Sequence, residues 1–178
     1  MGRDNRRPNR TKAKIRLGRS SYRLGMKKIY LAASFAFSDK ELSDVRKEYI
    51  KEAAVILRGR GFDVFVPHEH KIPNGETMSN VVWGCAVQRM DKQHLKEADW
   101  VVILTFGKFG NNAGVAWEAG YAAGLGKKIL VAKLNNDIES MMMWFNVTAH
   151  VWGLGGLQKF NFDDPDTWDL IIDGIELS

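Results

Sequence analysis

Apolar positions along this chain fall into two recurrent patterns, short continuous runs and longer segments with helical spacing, and the two alternate. Lys28-Ile29-Tyr30-Leu31-Ala32-Ala33 reads as a first strand closing in the small-residue turn Ala33-Ser34. Ser38, with Glu41 three residues on, forms a capping box for a helix to Arg58 with Leu42, Val45, Tyr49, Ala53 and Ile56 on one face. Gly59 and Gly61 end that helix, and Asp63-Val64-Phe65-Val66-Pro67 is a second strand. Such a β-α-β opening implies a parallel pair with a right-handed crossover. Residues 79–97 form a helix with Val82, Ala86 and Leu95 among its apolar positions and Asp91 on it. Trp100-Val101-Val102-Ile103-Leu104-Thr105-Phe106 is the unbroken apolar run of a central strand covered on both faces. After a loose Gly/Asn loop, Ala113 to Gly124 continues as a helix, and Gly126 is its stop. Lys127–Leu134 is a fourth strand and Thr148–Trp152 a fifth. Ile138–Trp144 is a short Met-rich helical turn, and Asp164-Pro165 starts a final helix through Trp168, Ile171 and Ile172.

Chemistry concentrates where strands end. Glu118 is expected in the first turn or so of the helix after the central strand, at the carboxyl edge where open α/β sheets bind ligands. Unpaired N–H groups there would keep it ionised near neutral pH. Gly114 and the other small neighbours leave room for a flat ligand, although an acidic residue there can also serve only to complement the helix dipole. His68-Glu69-His70 lies in a polar loop, residues 67–78, with turn signals at Pro73 and Asn74-Gly75. The H-x-H pair has no third ligand nearby, so the loop is read as substrate-contacting, with His68 among its contacts, and no metal is expected. Met141, Met142 and Met143 read as a soft ligand wall or as core and subunit packing. Cys85 is the only cysteine; a buried structural thiol is expected.

Composition changes the picture in one respect. The net charge is +5, yet residues 1–28 hold eleven Lys/Arg against Asp4 alone, leaving the remainder mildly acidic. Residues 1–26 are therefore expected to be a disordered basic tail, solvated rather than bound to nucleic acid, and 27–178 the folded domain. The lone cysteine fits a reducing, cytoplasmic setting, and no apolar run is long enough to cross a bilayer.

Lys28-Ile29-Tyr30-Leu31-Ala32, Met90-Asp91, Leu95-Lys96-Glu97-Ala98-Asp99-Trp100-Val101-Val102, Gly114-Val115-Ala116-Trp117-Glu118-Ala119-Gly120-Tyr121 and Gly126-Lys127-Lys128-Ile129 together resemble the nucleoside 2-deoxyribosyltransferase family. The resemblance covers about residues 27–152. It implies a flavodoxin-like, Rossmann-like three-layer αβα sandwich with a mostly parallel five-stranded sheet. It also implies a homo-oligomer in which a neighbour completes each active site, acting on nucleosides or nucleotides and free nucleobases without a cofactor. On this resemblance Glu118 matches the nucleophile, Tyr30 the tyrosine that orients it, and Asp91 the second carboxylate, for sugar contact and proton transfer. Ser34, Phe35, Asn112, Gly114, Ser140, Met142 and His68 complete the substrate-binding set.

Two positions depart from the transferase pattern. Asn112 stands where an Asp usually holds the base, and an amide is no proton source. Ser140 stands where transferases tend to supply an Asn and the related 2′-deoxynucleoside 5′-phosphate N-hydrolases have a serine contacting phosphate. Against that, the loop after the first strand lacks the hydrolases' Gly/Arg-rich phosphate grip, and Phe35 and Phe37 suit a base or sugar wall. Three readings follow: deoxyribosyl transfer between bases, hydrolysis of nucleoside 5′-monophosphates, and a non-catalytic nucleotide-sensing module with a nucleic-acid-binding arm.

Overall fold

The computed structural model describes residues 26–34, 40–105, 113–133 and 149–150, together with Asp169, Ile172, Asp173 and Ile175. The expected basic tail, the Ser38 cap and the Met-rich turn lie outside these residues.

The strands are β1 (Lys28–Ala33), β2 (Asp63–Phe65), β3 (Trp100–Thr105), β4 (Lys128–Lys133) and β5 (Ala149–His150). They form one sheet in the order β2-β1-β3-β4-β5, every neighbouring pair parallel. This is the flavodoxin-like order, in which the chain reverses direction across the sheet between β1 and β3. Every residue of β3 is buried, as a strand covered on both faces requires. β2 pairs over three residues only, because Pro67 has no N–H to continue a ladder and instead opens a 3₁₀ turn.

Helices α1 (Lys40–Gly59), α2 (Asn80–Glu97) and α3 (Ala113–Gly124) cover the sheet. On one face, Ile29, Leu31, Val102 and Leu130 pack with Ile50, Ala53, Ala54 and Leu57 of α1 and with Ile172 and Ile175. On the other, Tyr30, Ala32, Val101, Ile103 and Ile129 pack with Leu95, Val115, Ala119 and Ala122 of α2 and α3. The alternation of β1 thus divides its side chains between two layers.

The short connections from α1 to β2 and from α3 to β4 each carry a glycine in the left-handed region, Gly61 at φ +91° and Gly126 at φ +68°. Phe62 N–H donates to Leu57 C=O and Gly61 N–H to Arg58 C=O; Lys127 and Gly126 repeat the pattern onto Ala122 and Ala123. These paired bonds satisfy the last carbonyls of α1 and α3 and turn the chain directly into β2 and β4. At the other end of α2, the Ser79 hydroxyl caps the helix by accepting from Val82 N–H at 3.4 Å.

The core face of α2 differs from the expected one. Leu95 is buried, but Val81, Val82 and Trp83 are exposed. Cys85, expected to be a buried thiol, is exposed as well. The helix has apolar residues on more than one side at its N-terminal end, and only its last two turns press against the sheet. No helix among the described residues is long and apolar enough to cross a membrane.

Candidate active site

A cavity of about 700 Å³ opens at the carboxyl ends of β1 and β2, beside the start of α3. Its floor comes from Leu31 and Ala33 of β1 and Ser34 just after it, and one side from Gly114, Val115 and Glu118 of α3. Trp83, Val87, Met90 and Asp91 of α2 form a second side, spaced four, three and one residues apart so that they share one helical stripe. The segment after β2, from Pro67 to Glu76, supplies the third, including His68, His70, Lys71 and Ile72.

Tyr30, wholly buried in β1, donates its phenolic hydrogen to Glu118 Oε1 at 2.7 Å. The contact spans 88 positions and exists because β1 turns Tyr30, not Leu31, toward α3. One carboxylate oxygen is thereby fixed, and the Glu118 side chain borders the cavity. Asp91 is only 6% exposed, and its Oδ1 is buried with no hydrogen-bond partner among the described residues. A buried carboxylate oxygen without a partner is costly, and one bordering a cavity is placed to meet a ligand's donor.

Burial sets the protonation of this group. Removal from water pushes Glu118 up to about 8; the phenol's hydrogen bond pulls it down and the neighbouring Asp91 charge raises it again. Glu118 is therefore mainly protonated at neutral pH in the empty cavity, contrary to the expectation of an ionised residue. It is the sixth residue of α3, in the second turn, where the unpaired N–H groups of the helix start no longer reach it and desolvation prevails. Burial also raises Asp91 above the usual carboxylate range, against the phenol's favourable hydrogen bonding. The Tyr30 hydroxyl is held neutral by burial first and by the two acids beside it. Burial lowers His68, which borders the cavity as a neutral imidazole.

The structure thus brings Asp91, Glu118, Ser34, Gly114 and His68 to one cavity, with Tyr30 behind its wall, hydrogen-bonded to Glu118. Phe35, Asn112, Ser140 and Met142 lie outside the described residues. Sequence reading took the loop 67–78 as substrate-contacting, and the cavity is lined by most of it; Trp83 and Val87 were not singled out. The signal for Trp83 and Val87 was their four-residue spacing back from Asp91. Trp83 is 48% exposed, and its indole edge lies against Gly75, where a Cβ would come within 3.2 Å of Cδ1. Asn74 precedes it in the left-handed region at φ 56°, as its turn signal implies. Among the described residues no group of three or more His, Cys, Asp or Glu side chains could hold a metal ion.

A family model described as nucleoside 2-deoxyribosyltransferase matches residues 29–167. Among solved structures, a 2-deoxyribosyltransferase from the psychrotolerant bacterium Bacillus psychrosaccharolyticus is 30% identical, over 77% of this chain and 88% of that one, with a TM-score of 0.58. A CMP N-glycosidase from Clostridium botulinum, 17% identical over 82% of this chain and 99% of that one, shares the fold with a TM-score of 0.53. A search of curated protein sequences found no match.

Proposed function

This chain belongs to the nucleoside 2-deoxyribosyltransferase family, and we propose that it cleaves the N-glycosidic bond of 2′-deoxynucleosides and passes the sugar to another nucleobase. The observation that carries this reading is the buried Tyr30–Glu118 hydrogen bond on the wall of a nucleoside-sized cavity, with Asp91 beside it.

In the first step the free oxygen of Glu118, acting from the minor ionised fraction present at neutral pH, forms a bond to C1′ as the C1′–N bond breaks. The electron pair of that bond leaves on the base nitrogen, which takes a proton from Asp91. Positive charge builds on the sugar during this step, so an anion at C1′ is stabilising there and a neutral acid is useful at the base. In the second step the nitrogen of an incoming base displaces Glu118 from C1′ and returns its proton to Asp91. Two displacements retain configuration at C1′. Tyr30 touches the nucleophile throughout: its one hydrogen holds Oε1 and favours the charged carboxylate. Asn112, in place of an Asp, leaves Asp91 as the acid of this reading. The chain works as a homo-oligomer in which a neighbouring copy closes the site with residues around Ser140 and Met142.

The second reading is hydrolysis of nucleoside 5′-monophosphates, with water as the acceptor. Two observations favour it: Ser140 in place of Asn, and Lys71, a cation on the cavity wall able to meet a phosphate. The CMP N-glycosidase that shares the fold acts on a nucleotide of that kind.

Chromatography of deoxynucleosides and monophosphates, each with and without a spare base, separates the readings. A new nucleoside formed only when the spare base is present is the expected result; free base and sugar phosphate formed without an acceptor favours the second reading. Glu118→Ala should reduce either reaction by about 1,000-fold or more, the scale of losing an activated nucleophile. Unchanged turnover in that variant overturns both.

A further inference from the structure

We propose that Arg58, which does not border the active-site cavity, is a positioning residue that holds one wall of it through Glu69; the inference rests on the catalytic reading above. The segment from Pro67 to Glu76 supplies a whole side of the cavity, yet it contains only two 3₁₀ turns, Pro67–Glu69 and Gly75–Thr77, and neither has a buried residue. The backbone N–H groups of Glu69, His70, Gly75, Thr77 and Met78 donate to Val66, Pro67, Ile72, Asn74 and Gly75. Those bonds shape the segment without fastening it to the sheet or to a helix of the core.

A hydrogen-bonded fastening comes from the last turn of α1, beside the ring contact of His70 with Phe65. Arg58 Nη2 donates to Glu69 Oε2 at 2.6 Å and Nη1 to Glu69 Oε1 at 3.2 Å, a two-pronged pair. The same Nη2 donates to Val64 C=O of β2 at 2.8 Å, so the guanidinium ties helix, strand and segment together. A planar fork gripping a carboxylate at both oxygens fixes orientation as well as distance. Glu69 turns away from the active site and, with Arg58, borders a second cavity of about 460 Å³ behind the wall. Its two neighbours both border the first cavity, His68 that one alone and His70 both cavities.

From Glu69 a chain of contacts runs to the reacting group. The His70 ring stacks on Phe65 with centroids 4.5 Å apart, and Phe65 lies 5.4 Å from the Tyr30 ring. Tyr30 in turn holds Glu118. Release of the clamp should therefore loosen His68 and His70 first, and the phenol least, because Tyr30 is locked in β1. The expected signature is weakened substrate binding with the chemical step preserved.

The test uses the full chain with Arg58→Met, Glu69→Gln, the double variant and Arg58→Lys. Three quantities are measured on each: KM and kcat for a nucleoside, amide hydrogen exchange of residues 67–78, and thermal unfolding. The expected result is KM raised about 5-fold in each of Arg58→Met and Glu69→Gln, the effect of losing roughly one such interaction. With it should come kcat within about 2-fold, faster exchange confined to 67–78, and a double variant no worse than either single change. Arg58→Lys should fall between, since a point charge keeps attraction but not the fork. Unchanged exchange in 67–78, unchanged KM, additive losses in the double variant, or a KM loss that tracks lowered unfolding temperature would each overturn the proposal. Should the unaltered protein turn over neither nucleosides nor monophosphates, the catalytic reading fails, and the exchange measurement still decides whether Arg58 fastens this segment.

Discussion

The two faces of the sheet are built from the same strands and serve opposite ends. Under α1 every buried side chain among the described residues is apolar: Ile29 and Leu31 meet Ile50, Ala53, Ala54 and Leu57, closed off by Ile172 and Ile175. Under α2 and α3 the same strand turns Tyr30 inward, and around it lie Asp91 and Glu118, both raised above the usual carboxylate range by burial. One face can be optimised for packing alone. The other holds acids in poor solvation, which costs stability and supplies reactivity. Position 30 against position 31 is the whole distance between these roles along the chain.

The comparison can be broken most forcefully on the apolar face. Leu130→Ala, at a position that borders neither cavity, should cost about 2–5 kcal/mol, because a fully buried leucine leaves a cavity that a parallel sheet cannot close. Denaturant unfolding gives that value, and KM measured well below the unfolding midpoint should stay unchanged. A loss under about 1 kcal/mol would mean that this face carries less of the stability than its packing implies.

On the polar face the sign reverses. Glu118 has a folded pKa of about 8 against an ordinary value of 4.5, so the unfolded chain gives up its proton first as pH rises. The folded state then binds more protons than the unfolded one between those values, and stability falls as pH climbs through that window. Glu118→Gln, which keeps the shape and removes the titration, should therefore stabilise the protein at about pH 9 by on the order of a few kcal/mol. That gain should fade as the pH drops toward about 4. Urea midpoints at the two pH values measure it, and an equal effect at both would show that solvation of this carboxyl is not what limits the fold there.

A smaller effect separates the two neighbours of Glu118. Tyr30 favours its charged form and Asp91 disfavours it. Tyr30→Phe should move the acidic limb of kcat/KM to higher pH, with kcat down about 10- to 100-fold, within the range of lost transition-state hydrogen bonds. Asp91→Asn should move the titration of Glu118, followed by side-chain NMR, to lower pH. Shifts of the same sign in both variants would mean that the pair does not divide the work as described.

The fold was readable because its signals are local. Continuous apolar strands, glycines at 61 and 126, and the turn at Asn74-Gly75 each impose their structure without help from distant residues. The site was readable only in part. Glu118 was picked out by its place after the central strand, but Tyr30 and Asp91 only by resemblance, since a contact spanning 88 positions leaves no local trace. The charge of Glu118 was misjudged because helix position is visible in sequence and desolvation is not. Cys85 and Val82 were placed inside because α2 carries apolar residues on more than one side, and periodicity alone cannot choose between stripes. The wall from Lys71 to Glu76 has no periodicity at all, so its place in the site follows only from where β2 ends.

Gly75 gives the site a finely graded adjustment. With 3.2 Å between an added methyl and the indole of Trp83, the smallest possible side chain change would nudge that ring by a few tenths of an ångström and reshape the wall it forms. The shape of that wall is thus written in a missing methyl group rather than in any group that touches the reaction. Bulk admitted and chemistry performed can then drift apart over generations, one altering while the other stands still.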